Sequence, residues 1–410
     1  MISQVPISLP TATLQPNFSA YFPFSLDLSL LQSQSYSLRC GWRLKMSPAD
    51  SSYSTSQEAV VLGCGGLSVD LLAEVASFPN PDDKIRTTSL KLQGGGNAGN
   101  ALTCVARLGL RSRLISKIAK DSHGKKILEE LEADGVDTSF LVVAEEGNSP
   151  FTYVIVDSQT KTRTCIHTPG HPPMVPQDLP ERSLRAAMEG VRVAYFDARL
   201  SETAIKVARE AKQRNIPILV DAERKREGLD DLLHLATFLV CSAQFPREWT
   251  RAASVPHALV SLLLKLPNLE FVIVTLGGEG CLMIQRASDD SDVQEVDVDT
   301  LVASLKNEEE NIHGMPTCRS SRVASLRGGV GTVKGRVYVG TAENIPEAEL
   351  VDTTGAGDAF IGAVLYGVCK GMQPEKMVRF AAHVAAACCR DLGARSGLPY
   401  SVNSLLVPFM

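Results

Sequence analysis

The rhythm of apolar and polar positions changes at residue 59. Ala59-Val60-Val61-Leu62 leads into Gly63-Cys64-Gly65-Gly66, the pattern of a buried strand entering a tight turn. From there to about residue 285, strand-like and helix-like periods alternate. The spacing predicts helices over 97–109, 122–134, 202–214 and 256–266. Apolar runs predict strands over 112–118, 150–156, 163–168, 192–197, 217–221, 237–241 and 271–275. Such alternation predicts an α/β fold with a mostly parallel sheet covered by helices on both faces. Residues 67–92 and 149–168 carry amphipathic strand signals with no helix between them, and a small separate sheet is expected there. Residues 286–334 are polar and of mixed charge, with Ser288-Asp289-Asp290-Ser291-Asp292 and then Asn307-Glu308-Glu309-Glu310-Asn311. They read as a long, mostly disordered insertion, since structureless loops of that length are uncommon inside compact domains. A hairpin-like stretch, Gly335-Arg336-Val337-Tyr338-Val339, follows it.

Composition alters this picture chiefly at the start. Residues 1–58 are rich in Ser, Thr, Pro and Gln; the first acid is Asp27 and the first bases are Arg39, Arg43 and Lys45. A polar, acid-poor leader with little arginine predicts a disordered transit peptide addressed to the chloroplast. Initiation at Met46 would give a cytoplasmic form. A formal net charge of −5 over 410 residues argues against a nucleic-acid coat. No apolar run reaches the ~18–20 residues of a membrane span. The ten cysteines form no C-x-x-C pair, and the dispersed histidines make no metal spacing.

Two motifs carry chemistry. In Val351-Asp352-Thr353-Thr354-Gly355-Ala356-Gly357-Asp358-Ala359-Phe360, a strand-like approach meets a small-residue turn and then a helical pattern. Gly355, Ala356 and Gly357 at a helix N-terminus leave backbone N–H groups free for an anion. Asp358 beside them can accept the proton of an attacking hydroxyl. A glycine turn with a capping acid is the plainer alternative for such a string. The second motif is Gly94-Gly95-Gly96-Asn97-Ala98-Gly99-Asn100. Glycines permit close approach to a ligand, and Asn97 and Asn100 share one helix face, where their amides suit vicinal hydroxyls.

Both strings, in this order, resemble the two signatures of the pfkB family of carbohydrate kinases, also called ribokinase-like, over roughly residues 59–400. Local strings are most similar to its ketohexokinase branch: Gly66-Leu67-Ser68-Val69-Asp70, Phe78-Pro79-Asn80-Pro81-Asp82, Thr162-Arg163-Thr164, Asp221-Ala222-Glu223-Arg224 and Thr275-Leu276-Gly277-Gly278-Glu279-Gly280. The resemblance implies a three-layer α/β/α sandwich with a small β-sheet lid and a short C-terminal tail over 401–410. It implies ATP-dependent phosphorylation of a hydroxyl of a ketose or furanose. Asp70, Asp82, Gly95, Gly96, Asn97, Asn100 and Arg163 would then hold the sugar-like acceptor. Thr275, Gly277, Gly278, Gly280 and Thr354 would lie beside ATP. Mg2+ would be held mainly by phosphate oxygens and water, with Glu223 as a weaker protein candidate. It further implies a possible homodimer through the lid, whose edges proteins tend to cover.

The chain departs from the pattern at Cys241-Ser242-Ala243-Gln244, where many members carry an Asn-x-x-Glu motif. Arg395-Ser396-Gly397 lies near a monovalent-cation region of some relatives without a matching site. A nucleoside or sugar-acid acceptor fits the same signatures. The leader and the long insertion would suit a non-catalytic, fructokinase-like partner of the plastid transcription machinery, but the intact Gly355 to Asp358, Asp70, Asn97 and Asn100 argue for catalysis.

Overall fold

The computed structural model describes residues 59–287, 293–307 and 314–409. The leader expected over 1–58, with Met46, lies outside the described residues. So do the polar runs 288–292 and 308–313.

The first unit is the strand β1 (Val60–Cys64), followed by the paired strands β2 (Ser68–Val75) and β3 (Ser89–Gly95) and the helix α1 (Asn97–Arg107). Next come β4 (Arg111–Ala119), α2 (Ser122–Ala133), β5 (Val136–Ala144), β6 (Phe151–Asp157) and β7 (Arg163–Thr168). After α3 (Glu181–Ala187), strands and helices alternate strictly: β8 (Val191–Phe196), α4 (Ser201–Gln213), β9 (Ile218–Ala222), α5 (Leu229–Leu235), β10 (Phe238–Ser242), α6 (Phe245–Thr250), α7 (Val255–Lys265) and β11 (Phe271–Thr275). Each predicted helix and strand appears within a residue or two at its ends.

The large sheet runs β5-β4-β1-β8-β9-β10-β11 as parallel neighbours and then turns antiparallel at β12 (Cys281–Arg286). Successive side chains of a strand point to opposite faces, and the strands divide accordingly between two cores. Val61, Val193, Tyr195 and Leu219 pack under α1, α9 (Ala356–Lys370) and α10 (Pro374–Cys388). Leu62, Ala194, Phe196 and Val220 pack under α4, α5 and α7. That is the three-layer sandwich. The small sheet, in order β3-β2-β6-β7, stands apart as the expected lid.

The mostly disordered insertion over 286–334 is overturned for its described residues. They hold β13 (Glu295–Asp297), α8 (Val298–Asn307), β14 (Cys318–Ser320), β15 (Ala324–Gly328) and the start of β16 (Gly331–Gly340), whose strands extend the large sheet beyond β12. The hairpin-like stretch is the end of β16, whose hairpin partner is β15. Val298, Val302, Leu326 and Val333 are buried in the core beside α7. The polar runs flank these elements, and their charge masked a sparse apolar period. The last residues also pack inward, with Leu406 and Phe409 buried and the Phe409 ring against Phe380 and His383.

Leu326→Ala should therefore cost ~2–5 kcal/mol of unfolding free energy in urea titrations, as expected for a buried leucine. A change near zero would mean the segment is an appendage of the sheet rather than part of it.

Candidate active site

The site lies where the parallel strands end, the usual position of ligands in open α/β sheets. Helix α9 opens at Gly355, which has φ 78°, and a Cβ there would collide with Ala394. The approach is rigid. Asp352 is buried, and its Oδ1 accepts both the N–H (2.9 Å) and the hydroxyl (2.7 Å) of Thr354 while its Oδ2 accepts the N–H of Gly393 (2.9 Å). The first turn closes only through Ala356 N–H to Thr353 O and Ala359 N–H to Gly355 O. The N–H groups of Gly357 and Asp358 have no acceptor among the described residues, and a Cβ on Gly357 would meet open space. Free donors at the positive end of a helix form an anion site.

Asp358 sits half-buried at that opening. Its Oδ2 accepts an N–H from Asn100 Nδ2 at 2.8 Å. Loss of water around the carboxyl pushes its pKa up to about 7, against the lowering effect of Asn100 and the Arg199 charge; Asp197 and Glu223 add repulsion. A carboxylate near 7 is matched to proton abstraction near neutral pH.

The loop from Gly94 to Asn100 faces it. Asn97 and Asn100 lie in the first turn of α1, as their spacing predicts, and Gly96 precedes them at φ 87°. Asn97 Oδ1 accepts from Arg199 Nη2 at 3.2 Å, and the Asn97 side chain also bonds Asp221. Asp70, on the inner face of β2, accepts from the Ser68 hydroxyl at 2.6 Å; its carboxylate lies directly over Gly95, where any Cβ would strike it. Burial raises the Asp70 pKa. Arg163, on the lid strand β7, donates from Nη1 to the Thr353 hydroxyl at 2.8 Å, so the lid reaches the mouth of α9. On the nucleotide side, Thr275 ends β11 and donates weakly to Cys241 O (3.4 Å), while Gly277 and Gly278 face open space and Gly280 turns at φ 85°.

Two expected residues are not gathered in. Asp82 is exposed in the loop between β2 and β3, at φ 68°, with no hydrogen bond or ion pair to the cleft residues. Glu223 is held by cations: its Oε2 accepts from Arg199 Nη2 (3.0 Å) and Arg226 Nη2 (3.1 Å). Among the described residues no cluster of three His, Cys, Asp or Glu side chains could hold a metal. Oε2 of Glu223 is thus drawn to two guanidinium groups and not to other carboxylates.

Other residues come into view only in three dimensions. Asp197, at the end of β8, is buried and accepts from the N–H groups of Gly66 (2.7 Å), Ala98 (3.2 Å) and Arg199 (3.0 Å). It ties the first glycine turn to α1. Its position at the carboxyl end of an apolar strand was the signal available in the sequence. Arg199 has no such signal.

A sequence model of the pfkB family of carbohydrate kinases matches residues 61–303 and 320–400. The chain belongs to that family and is a carbohydrate kinase, a phosphotransferase with an alcohol acceptor. It is similar to the ribokinase of Arabidopsis thaliana, 23% identical over 82% of this chain and 77% of that protein. It superposes on a putative ribokinase from Agrobacterium tumefaciens (TM-score 0.64, 25% identity, 84% of this chain and 95% of that one). It also superposes on Arabidopsis thaliana ribokinase complexed with ribose and ATP (TM-score 0.61, 20% identity, 86% and 98%). The family model resumes at 320, so part of the segment read as an insertion belongs to the shared fold. Among the described residues no helix is long and apolar enough to cross a membrane.

Gly355→Ala should lower stability by at least ~1–2 kcal/mol, the cost of a left-handed L-residue, with the collision against Ala394 added. Thermal unfolding measures it. An unchanged Tm would mean that the turn at α9 can relax without Gly355.

Proposed function

We propose that the protein transfers the γ-phosphoryl group of ATP to a hydroxyl of a ketose or furanose sugar, with Asp358 as the general base. One observation carries this reading: the Asn100–Asp358 hydrogen bond joins the acceptor loop to the open N-terminus of α9. The acceptor hydroxyl and the phosphoryl group would thus meet at one carboxylate. Asp358 takes the hydroxyl proton as that oxygen bonds to the γ-phosphorus and the bond to the β-phosphate oxygen breaks. The N–H groups of Gly357 and Asp358 and the dipole of α9 hold the charge that spreads over the phosphoryl oxygens. Asp70, Asn97 and Asn100 orient the acceptor, and Arg163 closes the lid over Thr353. Space at Gly277 and Gly278 admits the nucleotide. Mg2+, held mainly by phosphate oxygens and water, would supply charge neutralisation.

Asp358→Asn should lower turnover ~10²–10⁴-fold, read as ATP consumption against a panel of sugars, nucleosides and sugar acids. The base works deprotonated and its pKa lies at about 7. kcat/KM should therefore vary inversely with proton concentration below that pH, falling as pH drops, and level off above it. Full activity in Asp358→Asn would sink the base assignment. ATP binding with no turnover on any acceptor would favour the non-catalytic partner reading, and turnover on a nucleoside or sugar acid alone would correct the acceptor.

We also propose a homodimer through the lid. On its outer face Leu92, Leu71, Tyr153 and Ile166 stand in one register row, with Leu90 beside them; Leu90 is 62% and Ile166 54% exposed. A contiguous apolar sheet face of this kind marks an interface. Sedimentation should show a dimer at micromolar concentration and a monomer for Leu92→Glu with Ile166→Glu. A wild-type monomer would refute the interface.

A further inference from the structure

Arg395 heads the completely buried side chains by size and is 1% exposed. It enters from the turn after α10 and lies under the acceptor loop. A buried guanidinium needs acceptors for its fixed fork of donors. Here Nε donates to Asn100 Oδ1 at 2.9 Å and Nη2 to Gly95 O at 3.0 Å. Nη1 has no hydrogen-bond partner and lies 3.9 Å from Glu130 Oε2, an oxygen that also accepts the Gly94 N–H at 2.6 Å. The guanidinium is pressed so closely on Gly94 and Gly99 that a Cβ at either position would strike it. Its own carbonyl accepts from Arg107 Nη1.

The consequence falls on Asn100. An amide can present either its oxygen or its nitrogen to a neighbour. Arg395 offers only donors, so the oxygen must face Arg395 and the nitrogen must face Asp358. In the flipped amide, N–H would oppose N–H at Arg395 and oxygen would oppose carboxylate at Asp358. We propose that Arg395 is a positioning residue for phosphoryl transfer: it locks the Asn100 amide with its N–H on Asp358 and pins the Gly94–Gly95 backbone beside α1. The inference rests on the reading of Asp358 as the base.

Arg395 acts on Asp358 through the amide and not through its own charge. The groups that face Asp358 are Asn100 and Cys104 from α1, Tyr195, Asp197 and Arg199 from β8 and its end, Asp221 and Glu223 from the end of β9, and Cys388 from α10. Those that face Arg395 are Glu130 from α2, Asp70 from β2, Asp134 and Arg107. Removing Arg395 frees the amide to turn. A carboxylate that loses a donor to its charged form titrates higher.

The test needs no acceptor and no turnover. In protein labelled with 13C at aspartate carboxyls, the Asp358 titration is followed by NMR and assigned by its absence from Asp358→Asn. The wild-type midpoint should lie at about 7. Arg395→Met should raise it by about one pH unit, the size of a lost hydrogen bond to a charged group. Asn100→Ala should raise it as much, and the double variant no further than Asn100→Ala alone. Arg395→Lys keeps the charge, cannot reach both Asn100 and Gly95, and should shift the midpoint in the same direction while remaining folded by circular dichroism. An unmoved midpoint in folded Arg395→Lys, or a double-variant shift equal to the sum of the two, would overturn the proposal. Turnover of Asp358→Asn with ribose and fructose reads the base assignment separately, so the two ideas can fail independently.

Discussion

One amide couples the two halves of the reaction site. Asn100 is buried in the first turn of α1, yet its side chain spans from the guanidinium of Arg395 to the carboxylate of Asp358 at the mouth of α9. The two helices pack side by side over the sheet, with Gly362 of α9 lying so close to Cys104 of α1 that no Cβ would fit between them. That packing sets the distance from acceptor loop to anion site. Neither motif can shift alone without breaking a buried hydrogen bond, and an unmade bond to a buried charged group costs more than the bond itself contributes.

Electrostatics at the sheet edge follow from the same crowding. Asp197, Asp221, Glu223 and Asp358 converge where β8 and β9 end and α9 begins. Burial lifts the pKa values of Asp197, Asp221 and Asp358 above the ordinary carboxylate range, and repulsion from neighbouring carboxylates adds to it at Asp221 and Asp358. Arg199 works against this, since it touches Asn97 and Glu223 and lowers both Asp197 and Asp358. The helix end supplies further positive character without a mobile cation. The site thus keeps one carboxylate poised near neutrality while Asp197 is spent on holding backbone N–H groups in place.

Much of this was legible in the sequence, for a physical reason. Parallel strands buried on both faces must be apolar runs, and their helices must be amphipathic, so the alternation from 59 to 285 betrayed the layers. The glycine strings betrayed the loops because backbone that meets a carboxylate or guanidinium tolerates no side chain: Gly95 lies under Asp70, and Gly94 and Gly99 under Arg395. What a glycine faces is a tertiary fact. Arg395 lies 295 residues from Asn100, and no local pattern connects them. Asp82 was assigned by likeness of string, and in the single chain the loop that carries it is exposed. The 286–334 segment was misread because its polar runs outweighed Val298, Val302 and Leu326, whose spacing makes sense only against a sheet edge already in place.

The lid shows how the two strings become one device. Its inner face carries Asp70 to the acceptor loop and Arg163 to Thr353, two residues before Gly355. Thr353 also accepts the Ala356 N–H that closes the first turn of α9. A lid strand that leaves Thr353 therefore loosens a residue on which the anion site is built, and one that returns restores it. On the proposed reading, acceptor entry and order at the phosphoryl site would be linked by that contact. Because β7 is an edge strand with its whole length exposed, the position of Arg163 depends on what steadies the sheet behind it. The apolar outer face of the lid is where the proposed second copy would act. Burying it against a second copy would hold β6 and β7 in register, and through Arg163 would favour the ordered end of α9.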